Sequence, residues 1–202
     1  MNLNEAITTL KVRLTFVEEA LGMMPASPDI HEQYIASKSP DAATIEEEVA
    51  AVGVEEVVEK SKTVFPRLED GTPFFWDYQI RGFFKESLSF LKKVPGSESG
   101  KIKAHKKAVD GLVFIAERKI PITLSGPMGD CQRSLRAETA QGAKIALAHS
   151  ETVPAGSQIT FTVRLFDKAL LPAVKECLDY GAYHGIAQWR NSGKGVFAWE
   201  EV

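Results

Sequence analysis

The sequence predicts an α+β protein, and three of its stretches carry that expectation. Lys11 to Phe16 and Gln158 to Leu165 alternate apolar with polar residues, the period of half-buried strands. Ile80, Phe84, Leu88 and Leu91 recur at helical spacing. From Gln158 to Val202 the pattern then reads strand, helix, glycine-rich basic loop and closing strand.

A chain of 202 residues with 44% hydrophobic content is long enough for a full core. One domain spanning 1–202, interrupted by insertions, is the simplest organisation. Two cysteines, Cys131 and Cys177, are too few for a disulfide scaffold and are expected as reduced thiols in a cytoplasmic protein. The start, MNLNEAITTLKVRLTF, lacks the basic head and apolar run of a secretory signal, and no stretch is apolar enough to cross a bilayer. A soluble protein without a membrane partner is therefore expected. The net charge of -3 argues against coating nucleic acid through bulk positive charge, yet it leaves room for a local basic groove.

Charge is distributed unevenly. Glu46, Glu47, Glu48, Glu55, Glu56 and Glu59 crowd one segment, and Lys92, Lys93, Lys101, Lys103, Lys106 and Lys107 crowd another. Both read as solvated helical faces, or the lysine segment touches a polyanion.

Along the chain, a first strand ends at Phe16, and the methionines, prolines and glycine of 20–27 are expected to end regular structure. Ser27-Pro28 and Ser39-Pro40 each place a capping hydroxyl before a proline suited to the first helical turn, so 21–60 reads as a mostly helical insertion. A short strand at 63–65, a turn at Glu69-Asp70-Gly71 and a strand at Phe74-Phe75-Trp76 follow, and Asp77 is placed to cap the next helix. Gly82 inside that helix marks close packing or a backbone function, or is a tolerated surface glycine. Residues 95–100 read as a flexible loop. Leu112 to Ile115 reads as a central strand, and Pro121 to Leu124 as a strand at or near an edge. Residues 125–150 form a hairpin or loop insertion that carries Arg133 and Arg136.

In the closing stretch Asp167 can cap a helix with an apolar stripe of Leu170, Val174, Cys177 and Leu178, and Gly181 is the expected stop. The loop from Gly185 to Gly195 contains Trp189, Arg190, Gly193 and Lys194, with no acidic residue between Gly181 and Trp199. Glycines there permit close ligand approach, and the two cations suit an anion held by backbone donors. Trp189 has the surface to stack on a base. The alternative is a tight connection with Trp189 laid over the core. A nucleotide-hydrolase loop is ruled out because Lys194 is followed by Gly195 rather than Ser or Thr.

Gly185, Ile186, Arg190, Gly193 and Gly195 resemble the glycine-rich loop of the RAMP superfamily of CRISPR-associated RNA-binding proteins. That loop runs Gly-hydrophobic-Gly, five residues including a basic one, then Gly-x-Gly. The chain departs from it at Ala187, where the pattern has glycine. Ile80-Arg81-Gly82 resembles a further Lys/Arg-Gly element of these proteins.

The resemblance implies a ferredoxin-like antiparallel sheet and binding of single-stranded nucleic acid, RNA above DNA. It implies assembly with copies of the chain or with effector-complex subunits, in a cellular or a phage setting. The residues expected to meet nucleic acid are Gly185, Trp189, Arg190, Gly193, Lys194 and Gly195, joined by Arg133, Arg136 and Arg81.

Three functions compete. The leading one is non-catalytic strand binding. The second is a metal-independent RNA endonuclease using a histidine, for which His184 is better placed than His31, His105 or His149. The third is a protein-interaction module or decoy acting through the acidic segment near Glu46 and Glu55. No histidine or cysteine spacing suggests zinc, and no cofactor motif is present.

Overall fold

The computed structural model describes residues 7–26, 62–139 and 142–202, with 134–139 and 142–147 at backbone level. The helices expected after Ser27-Pro28 and Ser39-Pro40, and the acidic segment, lie outside the described residues. The strands are β1 (Thr8–Phe16), β2 (Ala20–Leu21), β3 (Met24–Pro25), β4 (Thr63–Val64), β5 (Phe74–Trp76), β6 (Val113–Ile115), β7 (Lys119–Thr123), β8 (Gly129–Thr139), β9 (Gly142–Val153), β10 (Gln158–Leu165) and β11 (Phe197–Glu201). The helices are α1 (Asp77–Leu91), α2 (His105–Leu112) and α3 (Leu171–His184), with short 3-10 turns at Ser99–Lys101, Lys168–Leu170 and Arg190–Ser192. Contact between segments divides the chain into two compact units.

The first unit comprises Met1–Ala20, Pro66–Pro127 and Val153–Val202. Its antiparallel sheet has the order β11-β1-β10-β7-β5, with β6 also paired to β10. Each of β1 and β10 is followed, after a helix, by a strand that lands beyond its neighbour. Counting β1, β6 and β7 together, β10 and β11 as strands 1 to 4 gives the order 4-1-3-2 of a ferredoxin-like fold.

Period-two burial builds the core from one sheet face. Leu10, Val12, Leu14 and Phe16 of β1 lie beside Ile159, Phe161, Val163 and Leu165 of β10, all buried. Ile80, Phe84 and Leu88 of α1 and Val174, Cys177 and Leu178 of α3 supply the helical side. Each such side chain taken from water contributes about 1.5–3 kcal/mol. Burial pushes the Cys177 thiol well up, so it is an inert packing group, and both cysteines are free.

The structure corrects several expectations. Residues 20–27 contain β2 and β3 rather than irregular chain alone. Asp77 is the first helical residue, and the amide of the preceding Trp76 donates to Gln79 Oε1 at 2.8 Å. The side chain of Asp77 pairs with Arg118 instead. Strand β7 lies near the edge as expected, next to the edge strand β5, while β6, expected to be central, pairs with β10 alone.

Gly181 does not end its helix. Helix α3 continues to His184, and a Cβ at position 181 would lie 2.0 Å from the Phe197 ring, so glycine there lets β11 pack against the helix. Gly82 is the opposite case: a Cβ there meets nothing within 4 Å, the surface-glycine alternative.

The 95–100 loop is anchored. Glu176 accepts hydrogen bonds from the Glu98 amide at 3.0 Å, the Ser99 amide at 2.9 Å and the Ser99 hydroxyl. Burial pushes the Glu176 carboxyl up, but these bonds outweigh it and hold the group below the usual carboxylate range.

The second unit comprises Leu21–Phe65 and Met128–Thr152, and takes in most of the two segments set apart in the sequence as insertions. Its sheet has the order β2-β9-β4-β3, with β8 paired to β9 from Gly129↔Thr152 to Thr139↔Gly142. Strands β8 and β9 are thus paired antiparallel along one long ladder. A parallel bridge joins Thr63 to Ser150, whose hydroxyls lie 2.7 Å apart.

Gly181→Ala is expected to cost about 1–3 kcal/mol through overpacking, whereas Gly82→Ala is expected to gain up to about 1 kcal/mol of helix propensity. Urea denaturation of both variants checks the pair. Glu176→Gln should cost about 1–3 kcal/mol at pH 7, where the wild-type carboxylate holds its donors. Because the folded pKa is depressed, that difference should shrink as pH falls through it, which denaturation across an acid series measures.

Candidate nucleic-acid interface

The loop between α3 and β11 is closed at its neck by the chain itself. Gly185 has φ 71° and caps α3, its amide donating to Gly181 O at 3.0 Å. The Ile186 amide donates to Gly195 O and the Gly195 amide to Glu19 O, each at 2.9 Å. A Cβ at Gly185 would sit 2.7 Å from Lys194 O, and one at Gly195 would sit 1.9 Å from Ile186 O. These two glycines are therefore required by close backbone crossing.

Gly193 differs, because at φ 78° a Cβ there would meet nothing within 4 Å. Ala187, the departure from the RAMP pattern, keeps a left-handed φ of 75° and is buried. That conformation costs a non-glycine residue about 1–2 kcal/mol.

The tip of the loop is one 3-10 turn. Trp189, half-buried and left-handed at φ 57°, leads into Arg190–Ser192, and the Gly193 amide closes the turn on Arg190 O at 2.8 Å. Both cations of the loop meet carboxylates from elsewhere. Arg190 pairs with Glu86 of α1, and Lys194 Nζ lies 2.5 Å from Glu19 Oε1. All four side chains keep between 24% and 34% of their surface exposed. Both pairs are part-buried and fix the cations at the loop.

His184 is part of the same cluster. Its ring stacks on Tyr180 at 5.1 Å and lies 5.5 Å from Phe90, with Nε2 3.2 Å from Arg190 Nη1. Burial first, and the Arg190 charge second, push the imidazole below its usual range against the pull of Glu86. Neutral at pH 7, it accepts Arg190's hydrogen and positions that guanidinium.

The other expected residues lie elsewhere. Arg81 is in the first unit, where Nη2 donates to Asp110 O at 2.9 Å and the guanidinium lies 5.4 Å over the Phe114 ring. It braces α1 to the segment 110–114. Arg133 and Arg136 stand on β8 of the second unit, opposite Ala148 and Ile145. His105 is buried, its pKa lowered by burial and then by Lys92 and Lys106, and His149 lies 3.4 Å from Asp130. His31 falls outside the described residues.

Sequence reasoning missed Glu86 and Glu19, which lie 104 and 175 residues from their partners. No local pattern signals such pairs. It also missed the aromatic and cationic group Trp76, Tyr78, Arg118 and Lys119, although the run Phe74-Phe75-Trp76 is visible. No described helix is long and apolar enough to cross a membrane.

The strand order and helices define a ferredoxin-like fold, and comparison with solved structures agrees at the level of fold. The chain is similar to one in the cryo-EM structure of the Type III-B Cmr-beta bound to cognate target RNA. The TM-score is 0.57 at 11% identity, over 99% of this chain and 62% of that one. This chain thus spans less than two thirds of that relative's length. A chain of a Type IV-B CRISPR complex aligns with TM-score 0.49 at 12% identity, over 96% of this chain and 90% of that one. No protein-family model matches the sequence, and no curated protein does.

Gly195→Ala is expected to destabilise the protein by at least 2–3 kcal/mol, since its Cβ collides with backbone; the figure is roughly that of severe overpacking. Gly193→Ala, with open space around it, should cost only about 1–2 kcal/mol of left-handed strain. Thermal denaturation of the two variants reads the difference.

Proposed function

We propose that this chain is a non-catalytic subunit that binds single-stranded RNA along the glycine-rich basic loop, within a multi-subunit or self-assembled complex. The observation that carries the reading is the loop's place in the fold: a pre-closed turn between α3 and β11 of a ferredoxin-like sheet, presenting Trp189, Arg190 and Lys194. The similar Type III-B Cmr-beta structure is bound to target RNA, which favours RNA over DNA.

The turn's geometry suits a strand. Ion pairs hold both cations in place before a phosphate arrives, and the open space at Gly193 allows a backbone to approach closely. Neutral His184, sandwiched between two rings and committed to Arg190, fits a positioning role better than proton transfer.

Fluorescence anisotropy of a labelled single-stranded RNA, titrated across salt, tests the reading. Wild type should bind at low salt and weaken steeply as salt rises. Arg190→Ala with Lys194→Ala should flatten the log-log slope by about 1.4, from about 0.7 per phosphate contact. Absence of binding at low salt overturns the proposal. RNA held with excess protein should stay intact, and cleavage that disappears in His184→Ala would replace it with the endonuclease reading.

A further inference from the structure

We propose that the uncovered face of the six-stranded sheet is a second contact surface for the same RNA, with Lys11 and Arg164 meeting phosphates and Tyr78 stacking on a base. This rests on the RNA-binding reading above and extends it to residues outside the loop.

The alternation that buries one face of β1 and β10 sends hydroxyls and cations out on the other. In register, Lys11 stands opposite Thr162, and Thr9 opposite Arg164. Lys11 and Arg164 are therefore diagonal neighbours across the two central strands, their backbones roughly 7–8 Å apart. Both are exposed, and neither has an ion-pair partner among the described residues.

The acids of this face are already committed. Glu200 pairs with Arg13 at 2.9 Å. Glu117 accepts from the Thr162 amide at 2.7 Å and its hydroxyl at 2.9 Å. Among the described residues, neither Lys11 nor Arg164 has a carboxylate within ion-pair distance, and the nearest fixed acid, Glu117, is held on Thr162, the residue opposite Lys11.

The edge of the same face supplies rings. Strand register places Trp76 opposite Lys119, and the outward row of β7 continues to Thr123 beside Gln158 of β10. Trp76 and Tyr78 stack at 6.1 Å and 16°, with Arg118 5.1 Å over Trp76 and 5.8 Å over Tyr78. Tyr78 is 50% exposed. An exposed aromatic beside cations is the pairing that holds a base and its phosphate.

Charge selects the occupant. A protein partner favours an apolar patch centre depleted of charge, whereas this centre is threonines with unpaired cations. A polyanionic strand complements it.

The test uses the full chain and labelled oligouridylate in anisotropy titrations across salt. Lys11→Ala with Arg164→Ala should flatten the salt slope by about 1.4 relative to wild type, from two lost contacts. Tyr78→Ala should weaken binding about ten-fold and leave the slope unchanged. All three positions are on the surface, and matching circular dichroism melts establish that the variants fold. If wild type binds and the Arg190 and Lys194 variants weaken it, but the sheet-face variants match wild type, this inference is overturned while the loop reading stands. If those variants instead disturb only self-association in sedimentation, the face is a protein interface and the inference is equally overturned. Failure of wild type to bind overturns both.

Discussion

The pairing of β1 with β10 is the constraint on which the first unit depends. Eight consecutive residue pairs, from Thr8↔Leu165 to Thr15↔Gln158, place Leu10, Val12 and Leu14 beside Val163, Phe161 and Ile159. Because strand side chains alternate, slipping either strand by one residue turns Lys11 and Arg13 into the core and the leucines into water. The register thus does two jobs. It seats α1 and α3 on an apolar face, and it concentrates the cations on the face the helices leave open.

The glycine-rich loop is a consequence of how tightly the next layer closes. Phe197 of β11 packs where Gly181 lacks a side chain, and the returning chain crosses itself between Gly185 and Gly195. Such a neck holds Trp189, Arg190 and Lys194 in place through backbone contacts rather than through a ligand. Under the proposed reading that order is useful, since less conformational entropy would be lost when a strand arrives. Its ion pairs with Glu86 and Glu19 hold the cations locally.

Much of this architecture is legible in the sequence wherever the signal is periodic and local. The outline of β10 and the buried face of α1 follow directly from spacing, and the order of the closing elements does too. What is not legible depends on contacts distant in the chain. Gly181 reads as a helix stop until Phe197, sixteen residues later, is seen against it. Residues 95–100 read as loose because the carboxylate that anchors them belongs to Glu176. An acid-free loop reads as electropositive until Glu86 and Glu19 arrive from other elements.

The loop and the sheet face differ in character. The loop is set by backbone crossing, and its cations are paired with Glu86 and Glu19 from other elements. The sheet face is hydroxyl-rich, and Lys11 and Arg164 near its centre have no ion-pair partner among the described residues. A strand running over both would meet positioning contacts from cations and stacking from rings, with little that reads base identity, so weak sequence preference is the expected behaviour. The most direct measurement is ultraviolet cross-linking of a single-stranded RNA to the full chain, with the attachment sites located by mass spectrometry. The account places the adducts at Trp189 and its loop and at Trp76 or Tyr78; adducts confined to other parts of the chain, or none at saturating RNA, contradict it.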